Sequence, residues 1–190
     1  MTEEISARAT ILVVDDEKRI ADAYAQLLND RYEIRTAYGE EGLAQIDDDV
    51  DVVLLDRRMP DLSGDEVLER ARSEGYDGTV IMVTAVNPKL NILEMEFDDY
   101  LCKPVAPETL REAVSQHLDR AGPESDRLDE FFTLVSKISV LEDEMTRSEL
   151  RDSEEYERLR QRVETLAEEL RDSVEDFETI VDTYRDINRK

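Results

Sequence analysis

The sequence of 190 residues has one cysteine and no tryptophan, and no apolar run in it approaches the ~20 residues of a membrane-spanning helix. A single cysteine excludes a disulfide framework. Cys102 lies in a predicted buried strand, where we expect it to pack as a small hydrophobic residue. Residues 1–5 also lack the basic and apolar pattern of a signal peptide. We therefore expect a cytoplasmic protein.

Basic residues are scarce as well. Lys and Arg number 24 against 49 Asp and Glu, which gives a formal net charge of -25, and only five of the basic residues are lysines. Such an excess of negative charge opposes non-specific attraction to nucleic acid and to anionic membranes. The composition is similar to that of proteins from salt-accumulating halophiles, where salt screens the repulsion between carboxylates.

A halophilic setting predicts a specific salt response. We expect the melting temperature to be lower in dilute buffer than in molar KCl, because dilution withdraws the screening between carboxylates. Thermal melts followed by circular dichroism at both salt concentrations measure this difference. Equal or greater stability in dilute buffer would contradict the halophilic interpretation.

Four short apolar runs, each followed at once by a polar or charged residue, stand in the first 104 residues, at 11–14, 52–55, 79–83 and 100–102. Runs of this length that alternate with helical patterns are typical of parallel strands covered on both faces. Ligands of such sheets bind beyond the carboxyl ends of the strands. The polar residues that follow the runs should therefore share one edge of the sheet: Asp15, Asp16, Asp56, Thr84 and Lys103.

This set of side chains indicates phosphoryl chemistry. Clustered carboxylates repel one another unless a cation lies among them, and hard oxygen ligands suit Mg²⁺. A carboxylate beside such a metal can attack a phosphoryl group and form an aspartyl phosphate. The lysine and the metal would neutralise the phosphoryl oxygens, and the threonine hydroxyl would donate a hydrogen bond to one of them.

The same motifs resemble a known family. Asp15-Asp16, the segment DRRMPDLSG at 56–64, Thr84-Ala85 and the segment YLCKP at 100–104 are similar, in order and spacing, to the receiver domain of two-component response regulators. The resemblance covers residues 8–120. It implies a doubly wound, five-stranded parallel sheet of the flavodoxin-like type, Mg²⁺ as cofactor and a sensor histidine kinase as phosphodonor.

The resemblance also implies roles for single residues. Asp56 would be the phosphoacceptor, and Asp16 and Asp56 would bind Mg²⁺ directly. Asp15 would act on the metal mainly through water, and the backbone carbonyl of Arg58 would be a further ligand. The Arg58 side chain either affects the lifetime of the phosphate or is a solvated surface group.

The remaining roles concern the response to the phosphate. Lys103 would pair with the phosphate, and Thr84 together with Tyr100 would report its presence, although Tyr100 could also be a packing residue. One departure from the family pattern is Glu96-Phe97, which stands where receivers commonly carry Gly-Ala. The spacing there is also shorter, so we expect the helix around 88–95 to be short or skewed.

The chain changes character after residue 120. A polar linker with Gly and Pro, 121–127, precedes a region, 128–190, that has only helical patterns. We expect one helix over about 126–147 and a second over about 153–188, with Asp152 as its N-cap. The second carries apolar residues at the a and d positions of five heptads, which is typical of a coiled coil.

The two predicted helices differ in length, at about 30 Å and about 50 Å. A hairpin of the two would leave the end of the longer helix uncovered, and its apolar residues should then pack on the receiver or form a dimer seam with a second subunit. The residues of this predicted seam are Phe177, Ile180, Tyr184 and Ile187.

The C-terminal region resembles the HalX domain that follows receivers in haloarchaeal regulators. This resemblance rests on Leu141-Glu142, the 150–156 segment and the helical hairpin pattern. HalX domains occur in regulators often described as transcriptional. The region has no helix-turn-helix, zinc-ligand spacing or basic stripe; the nearest feature is Arg158, Arg160 and Arg162, which a solvated helix face explains.

These observations predict a response regulator rather than an enzyme. Phosphorylation would switch a helical output domain that acts through protein association, a homodimer or another protein, in transcriptional regulation. A regulator that binds DNA directly and a scaffold that works without phosphorylation are the alternatives. The cognate kinase, its stimulus and the regulated genes have no signature in these residues.

Overall fold

Five parallel strands form the centre of the molecule. The structure is a computed structural model that describes residues 8–118, 125–174, 177–179 and 181. The strands are β1 (Thr10–Val14), β2 (Glu33–Ala37), β3 (Val52–Leu55), β4 (Thr79–Thr84) and β5 (Asp99–Cys102). They lie in the order β2-β1-β3-β4-β5. This doubly wound sheet confirms the predicted fold class.

The apolar runs found in the sequence are strands β1, β3, β4 and β5. Cys102 is an exception, because it is exposed at the end of β5 and the expectation that it packs as a buried residue is wrong. Every residue of β1 and β3 is buried, because helices cover both faces of the sheet. Strand β2 has no such run, since it lies at the edge of the sheet and is partly exposed. Its alternating sequence is the reason that the four-run pattern did not include it.

Helices α1 (Lys18–Leu28), α2 (Gly64–Ser73) and α3 (Pro107–Leu118) connect and flank the strands. Two connections contain only 3-10 turns, Glu40–Gln45 and Leu90–Glu94. The second of these confirms that the 88–95 segment is too short for a regular helix. Phe97, one of the departures from the family pattern, is 1% exposed and packs against the Tyr100 ring.

The C-terminal region contains α4 (Ser125–Glu144), α5 (Arg147–Arg151) and α6 (Glu154–Ser173). Helix α4 starts at Ser125, close to the expected start at about residue 126. Ser153, and not Asp152, is the N-cap of α6, because its hydroxyl accepts a hydrogen bond from the Tyr156 N–H.

The predicted unbroken helix to residue 188 is wrong. Helix α6 ends at Ser173, and Val174 has an extended backbone with φ -105 and ψ 120. Helices α4 and α6 therefore have the same length, 20 residues each, which is about 30 Å. A heptad pattern indicates which residues share a face. The pattern continues past the end of α6 because later residues pack in the same apolar cluster as α4 and α6, which contains Phe131, Phe132, Leu166, Leu170, Phe177 and Val181.

Phe177 belongs to that cluster. Its ring lies 5.3 Å from the Phe131 ring, and the side chain is only 3% exposed. The expectation that the α4–α6 hairpin would leave Phe177 uncovered is therefore wrong, since α4 covers it within the same chain. The other three residues of the predicted dimer seam, Ile180, Tyr184 and Ile187, lie outside the described residues.

The C-terminal helices pack directly on the sheet domain. Leu141, Leu150 and Tyr156 belong to the same apolar core cluster as Leu12 and Val53 of the sheet. Helix α4 lies against β5 of the sheet. Within the ranges that the structure describes, no helix is both long enough and apolar enough to cross a membrane.

Candidate functional site

The carboxyl ends of four strands meet at one edge of the sheet. Asp15 and Asp56 directly follow β1 and β3, which pair in parallel with Val14 beside Leu55. Thr84 is the last residue of β4, and its carbonyl accepts a hydrogen bond of 2.8 Å from the Lys103 N–H. The strand register therefore brings together side chains that are up to 88 residues apart in the chain.

Three carboxylates form the centre of the site. One oxygen from each of Asp15, Asp16 and Asp56 lies within 4.8 Å of the others. Lys103 Nζ donates to Asp15 Oδ2 at 2.6 Å and lies 3.4 Å from Asp56 Oδ2. Asp15, Asp56 and Lys103 are largely buried, whereas Asp16 is exposed and opens the cluster to solvent. The structure thus brings together the carboxylates and the lysine predicted from the sequence.

Burial and neighbouring charges have opposite effects on the pKa values of the groups in this cluster. Burial raises the pKa of Asp15 in spite of the hydrogen bond from Lys103. For Lys103, burial alone would lower the pKa, but the bond to Asp15 and the charge of Asp56 outweigh it and raise the pKa overall. One ammonium group must therefore compensate several carboxylates, and a further cation would be stabilised here.

Asp56 Oδ1 is a polar atom without a partner. It is buried and has no hydrogen-bond partner among the described residues. An unsatisfied buried carboxylate oxygen is costly, on the order of 1–3 kcal/mol or more for a charged group. Together with three carboxylates at metal-binding distance, this atom fits a site for a hard divalent cation such as Mg²⁺, which prefers oxygen ligands.

Gly64 holds the backbone of the acceptor loop. A Cβ at this position would lie 2.2 Å from the Asp56 carbonyl oxygen and 2.8 Å from Arg57 Cα, and both neighbours are backbone atoms. Only glycine allows this close approach at the start of α2, where the Gly64 N–H also donates to the Arg57 carbonyl at 3.0 Å.

Gly64→Ala should therefore displace the Asp56 loop. We expect a loss of about 1–3 kcal/mol in the free energy of unfolding, as for an overpacked position, and slower phosphoryl labelling. Chemical denaturation followed by circular dichroism measures the first effect. Glu69→Ala, at an exposed position of the same helix, is the matched control and should be close to neutral. Unchanged stability and labelling of the Gly64→Ala protein would show that the loop tolerates the displacement.

Thr84 and Tyr100 are joined through the backbone of Val86. The Thr84 hydroxyl accepts a hydrogen bond of 3.3 Å from the Val86 N–H, and the Tyr100 hydroxyl donates to the Val86 carbonyl at 2.6 Å. Both side chains are buried. Burial raises the pKa of the Tyr100 hydroxyl, so this group stays protonated as a donor. Tyr100 is thus a packing residue and a hydrogen-bonding residue at once.

The two arginines after Asp56 differ. Arg58 is exposed. Arg57 makes a bidentate pair with Asp65 of α2, at 2.7 and 2.9 Å. The sequence interpretation did not include Arg57. Asp65, an acidic residue in the first turn of α2, could have indicated the pair. Arg57 has many possible partners at a separation of eight residues, however, so the sequence alone does not select Asp65.

A second buried polar group was also missed. Asp99, at the start of β5, is 2% exposed and accepts a hydrogen bond from Ser136 of α4. His117 of α3 faces the same carboxylate, and its side chain is 4% exposed. His117 is thus a buried packing residue beside β5.

Two family models match the sequence. The response regulator receiver domain matches residues 11–115, and the HalX domain matches residues 120–187. The first match contains every residue of the strand-end cluster.

The sequence is also similar to named regulators. A protein from Haloferax volcanii, whose name describes it as a candidate transcriptional regulator, is 43% identical over 188 residues, which are 98% of this chain and 32% of that protein. The transcriptional regulatory protein DltR of Streptococcus agalactiae is 41% identical over 106 residues, 53% of this chain and 47% of that protein. The chain thus spans a third to a half of the length of these relatives.

Solved receiver structures share the fold. A CheY-like receiver domain from Methanospirillum hungatei superposes with a TM-score of 0.57 at 33% identity, over 64% of this chain and 99% of that one. A receiver domain from Clostridium thermocellum gives a TM-score of 0.54 at 32% identity, over 59% of this chain and 95% of that one.

Proposed function

The chain belongs to the response regulator receiver family, with a HalX domain after the receiver, and we propose that it accepts a phosphoryl group on Asp56. The phosphodonor would be the phosphohistidine of a sensor histidine kinase. One observation carries the proposal: Asp56 presents a buried oxygen that has no hydrogen-bond partner in the described part of the chain, beside Lys103 and two further carboxylates.

The reaction is a single displacement at phosphorus. One carboxylate oxygen of Asp56 supplies the electron pair for the new O–P bond, while the N–P bond of the phosphohistidine breaks and the imidazole leaves with the electron pair of the N–P bond. A carboxylate is competent for this step when charge on the phosphoryl oxygens is neutralised. Lys103 Nζ, 3.4 Å from Asp56 Oδ2, is placed to pair with one of those oxygens.

Magnesium fits the same residues. Asp15, Asp16, Asp56 and the backbone carbonyl of Arg58 would hold it, and when bound it supplies positive charge next to the phosphoryl group. The chain's own part is to keep these oxygens together. Burial of Asp15 and Asp56 at adjacent strand ends does this without long flexible side chains.

The phosphoryl group would be sensed by the neighbouring strand. Thr84 lies at the end of β4, and its hydroxyl, which accepts a hydrogen bond from the Val86 N–H, can turn to donate one to a phosphoryl oxygen. Tyr100, whose hydroxyl donates a hydrogen bond to the carbonyl of the same Val86, would then move with this segment.

The output would lie in the C-terminal helices. We place the receiver at residues 8–120 and the HalX region at 128–190. The names of two relatives include transcriptional regulation, and we propose that the HalX region acts on transcription through association with protein. The surface of α6 does not favour DNA, because its four arginines, Arg158, Arg160, Arg162 and Arg171, are paired with acids. The role is signalling, with at most slow loss of its own phosphate, and not turnover of a substrate.

The test is labelling of the full chain by a small phosphodonor. Acetyl phosphate with Mg²⁺ should add the mass of one phosphoryl group per chain, and peptide mapping by mass spectrometry should locate it on Asp56. Omission of Mg²⁺, with a chelator present, should prevent the labelling. Labelling that is independent of Mg²⁺, or that maps to another residue, would contradict the proposal.

A further inference from the structure

A buried hydrogen bond fastens the C-terminal region to the receiver. Ser136 Oγ of α4 donates to Asp99 Oδ1 of β5 at 2.5 Å, and the two residues are 3% and 2% exposed. Burying a carboxylate is unfavourable unless hydrogen bonds compensate for its lost hydration. The position of α4 on the sheet is therefore specified at this point, because a shift of the helix would leave Asp99 with too few donors.

The groups around Asp99 support the same position. His117 Nε2 of α3 lies 3.8 Å from Asp99 Oδ2. Burial acts to raise the pKa of Asp99, but the His117 side chain that faces it and the hydrogen bonds from Ser136 and the Tyr100 N–H lower it overall, so the group is a carboxylate. Lys137, beside Ser136, donates from Nζ to the Met95 carbonyl at 2.6 Å. These polar contacts place α4 against both β5 and the turn before it.

Asp99 is also connected to the phosphoryl site. Its Oδ1 accepts a second hydrogen bond, at 2.8 Å, from the N–H of Tyr100. The Tyr100 hydroxyl donates to the Val86 carbonyl at 2.6 Å, and the Val86 N–H donates to the Thr84 hydroxyl at 3.3 Å. A continuous series of hydrogen bonds thus runs from Thr84, at the strand-end cluster, to Ser136 in the helical region.

We propose that this series carries the effect of phosphorylation to the HalX region, and that the Asp99–Ser136 bond is the contact that phosphorylation loosens. The inference rests on the proposed function, since it needs a phosphoryl group on Asp56. When the Thr84 hydroxyl turns to that group, the Val86 N–H loses its acceptor and the 84–86 segment moves. Tyr100, bonded to Val86 and next to Asp99, moves with it.

The consequence is a docked and a released arrangement of α4. In the docked arrangement Asp99 has both donors, and α4 covers β5. Displacement of Tyr100 removes the geometry in which Asp99 Oδ1 accepts hydrogen bonds from both the Tyr100 N–H and the Ser136 hydroxyl. The released arrangement exposes the apolar face of α4 and the buried side of β5, and these surfaces become available to a partner protein. Because coupling between two sites is reciprocal, loosening α4 should also favour binding of a phosphoryl mimic such as beryllium fluoride.

Ser136→Ala tests this inference, with Ser139→Ala as the matched control. Ser139 lies one turn further along α4, and it lines the neighbouring groove. Hydrogen exchange of the 131–141 segment is measured by mass spectrometry in the full chain, before and after labelling with acetyl phosphate. In the wild type and in Ser139→Ala, labelling should speed exchange of this segment. In Ser136→Ala, exchange should already be faster by about tenfold before labelling, as expected for loss of a hydrogen bond to a charged group, and should change little afterwards.

Three outcomes would overturn the inference. If labelling increased hydrogen exchange of 131–141 in Ser136→Ala as much as in the wild type, the Asp99 contact would not transmit the effect of phosphorylation. A wild type that is labelled on Asp56 without faster exchange in 131–141 would refute the coupling and leave the proposed function standing. A wild type that takes up no phosphoryl group would refute both. Asp99→Asn keeps the shape of the side chain and one acceptor oxygen. Its hydrogen exchange in 131–141 before labelling should lie between that of the wild type and that of Ser136→Ala, which makes the test independent of a single variant.

Discussion

Asp56→Asn should abolish Mg²⁺-dependent labelling by acetyl phosphate. The amide oxygen of asparagine is a poor nucleophile, and the substitution removes one of the three carboxylates at the metal site. The side chain keeps its shape, so the sheet should stay folded. Intact mass spectrometry should detect no phosphorylated species, while circular dichroism should give the spectrum of the wild type.

Asp61→Asn is the control for this result. It makes the same chemical change in the loop that follows Asp56, at an exposed position. Labelling of Asp61→Asn should equal that of the wild type. If the Asp56→Asn protein were still labelled with one phosphoryl group per chain, the acceptor would be another residue, and the role given to Asp56 would be wrong.

Phe131→Ala should cause the largest loss of stability in the helical region. The Phe131 ring lies 5.3 Å from the rings of both Phe132 and Phe177 and is 3% exposed. Truncation of such a buried aromatic residue is worth about 3–5 kcal/mol of unfolding free energy. Urea denaturation at high KCl, followed by circular dichroism, measures it. Glu178→Gln, an exposed position next to Phe177, should change the free energy little.

The same region distinguishes packing within the chain from a dimer seam. Phe131→Ala and Phe177→Ala should be coupled by about 0.5–1.5 kcal/mol in a double-mutant cycle, as for aromatic pairs. The effect of Phe177→Ala should not depend on protein concentration, because α4 of the same chain covers this ring. A destabilisation that grows on dilution would instead indicate that Phe177 packs at a subunit interface.

The strand-end residues could be found from the sequence because two local signals coincide. Each apolar run is long enough to specify a buried strand. The polar residue that follows a strand directly must lie at the edge of the sheet. Asp15, Asp56 and Thr84 follow from that rule alone. The short 90–94 turn could also be foreseen, since the spacing between Thr84 and Lys103 is shorter than in the receiver family.

Other features depend on residues that are distant in the chain. The Asp99–Ser136 bond joins positions 37 residues apart, and neither residue has a local pattern that indicates the other. The end of α6 at Ser173 was missed for a related reason. Phe177 continues the heptad spacing, and only its contact with Phe131 shows that the chain bends to keep the ring buried.

The sequence by itself thus determined the parallel sheet, the division into a receiver and a helical region, and the identity of the strand-end cluster, because hydrophobic periodicity and strand-end position are local properties. The tertiary structure decided where the helical region lies and what it covers. Helix α4 could have packed by its apolar face against several surfaces. Its position on β5 combines the packing of Leu141 in the apolar core of the sheet with the hydrogen bond from Ser136 to the buried Asp99 carboxylate, which needs donors to compensate for its lost hydration.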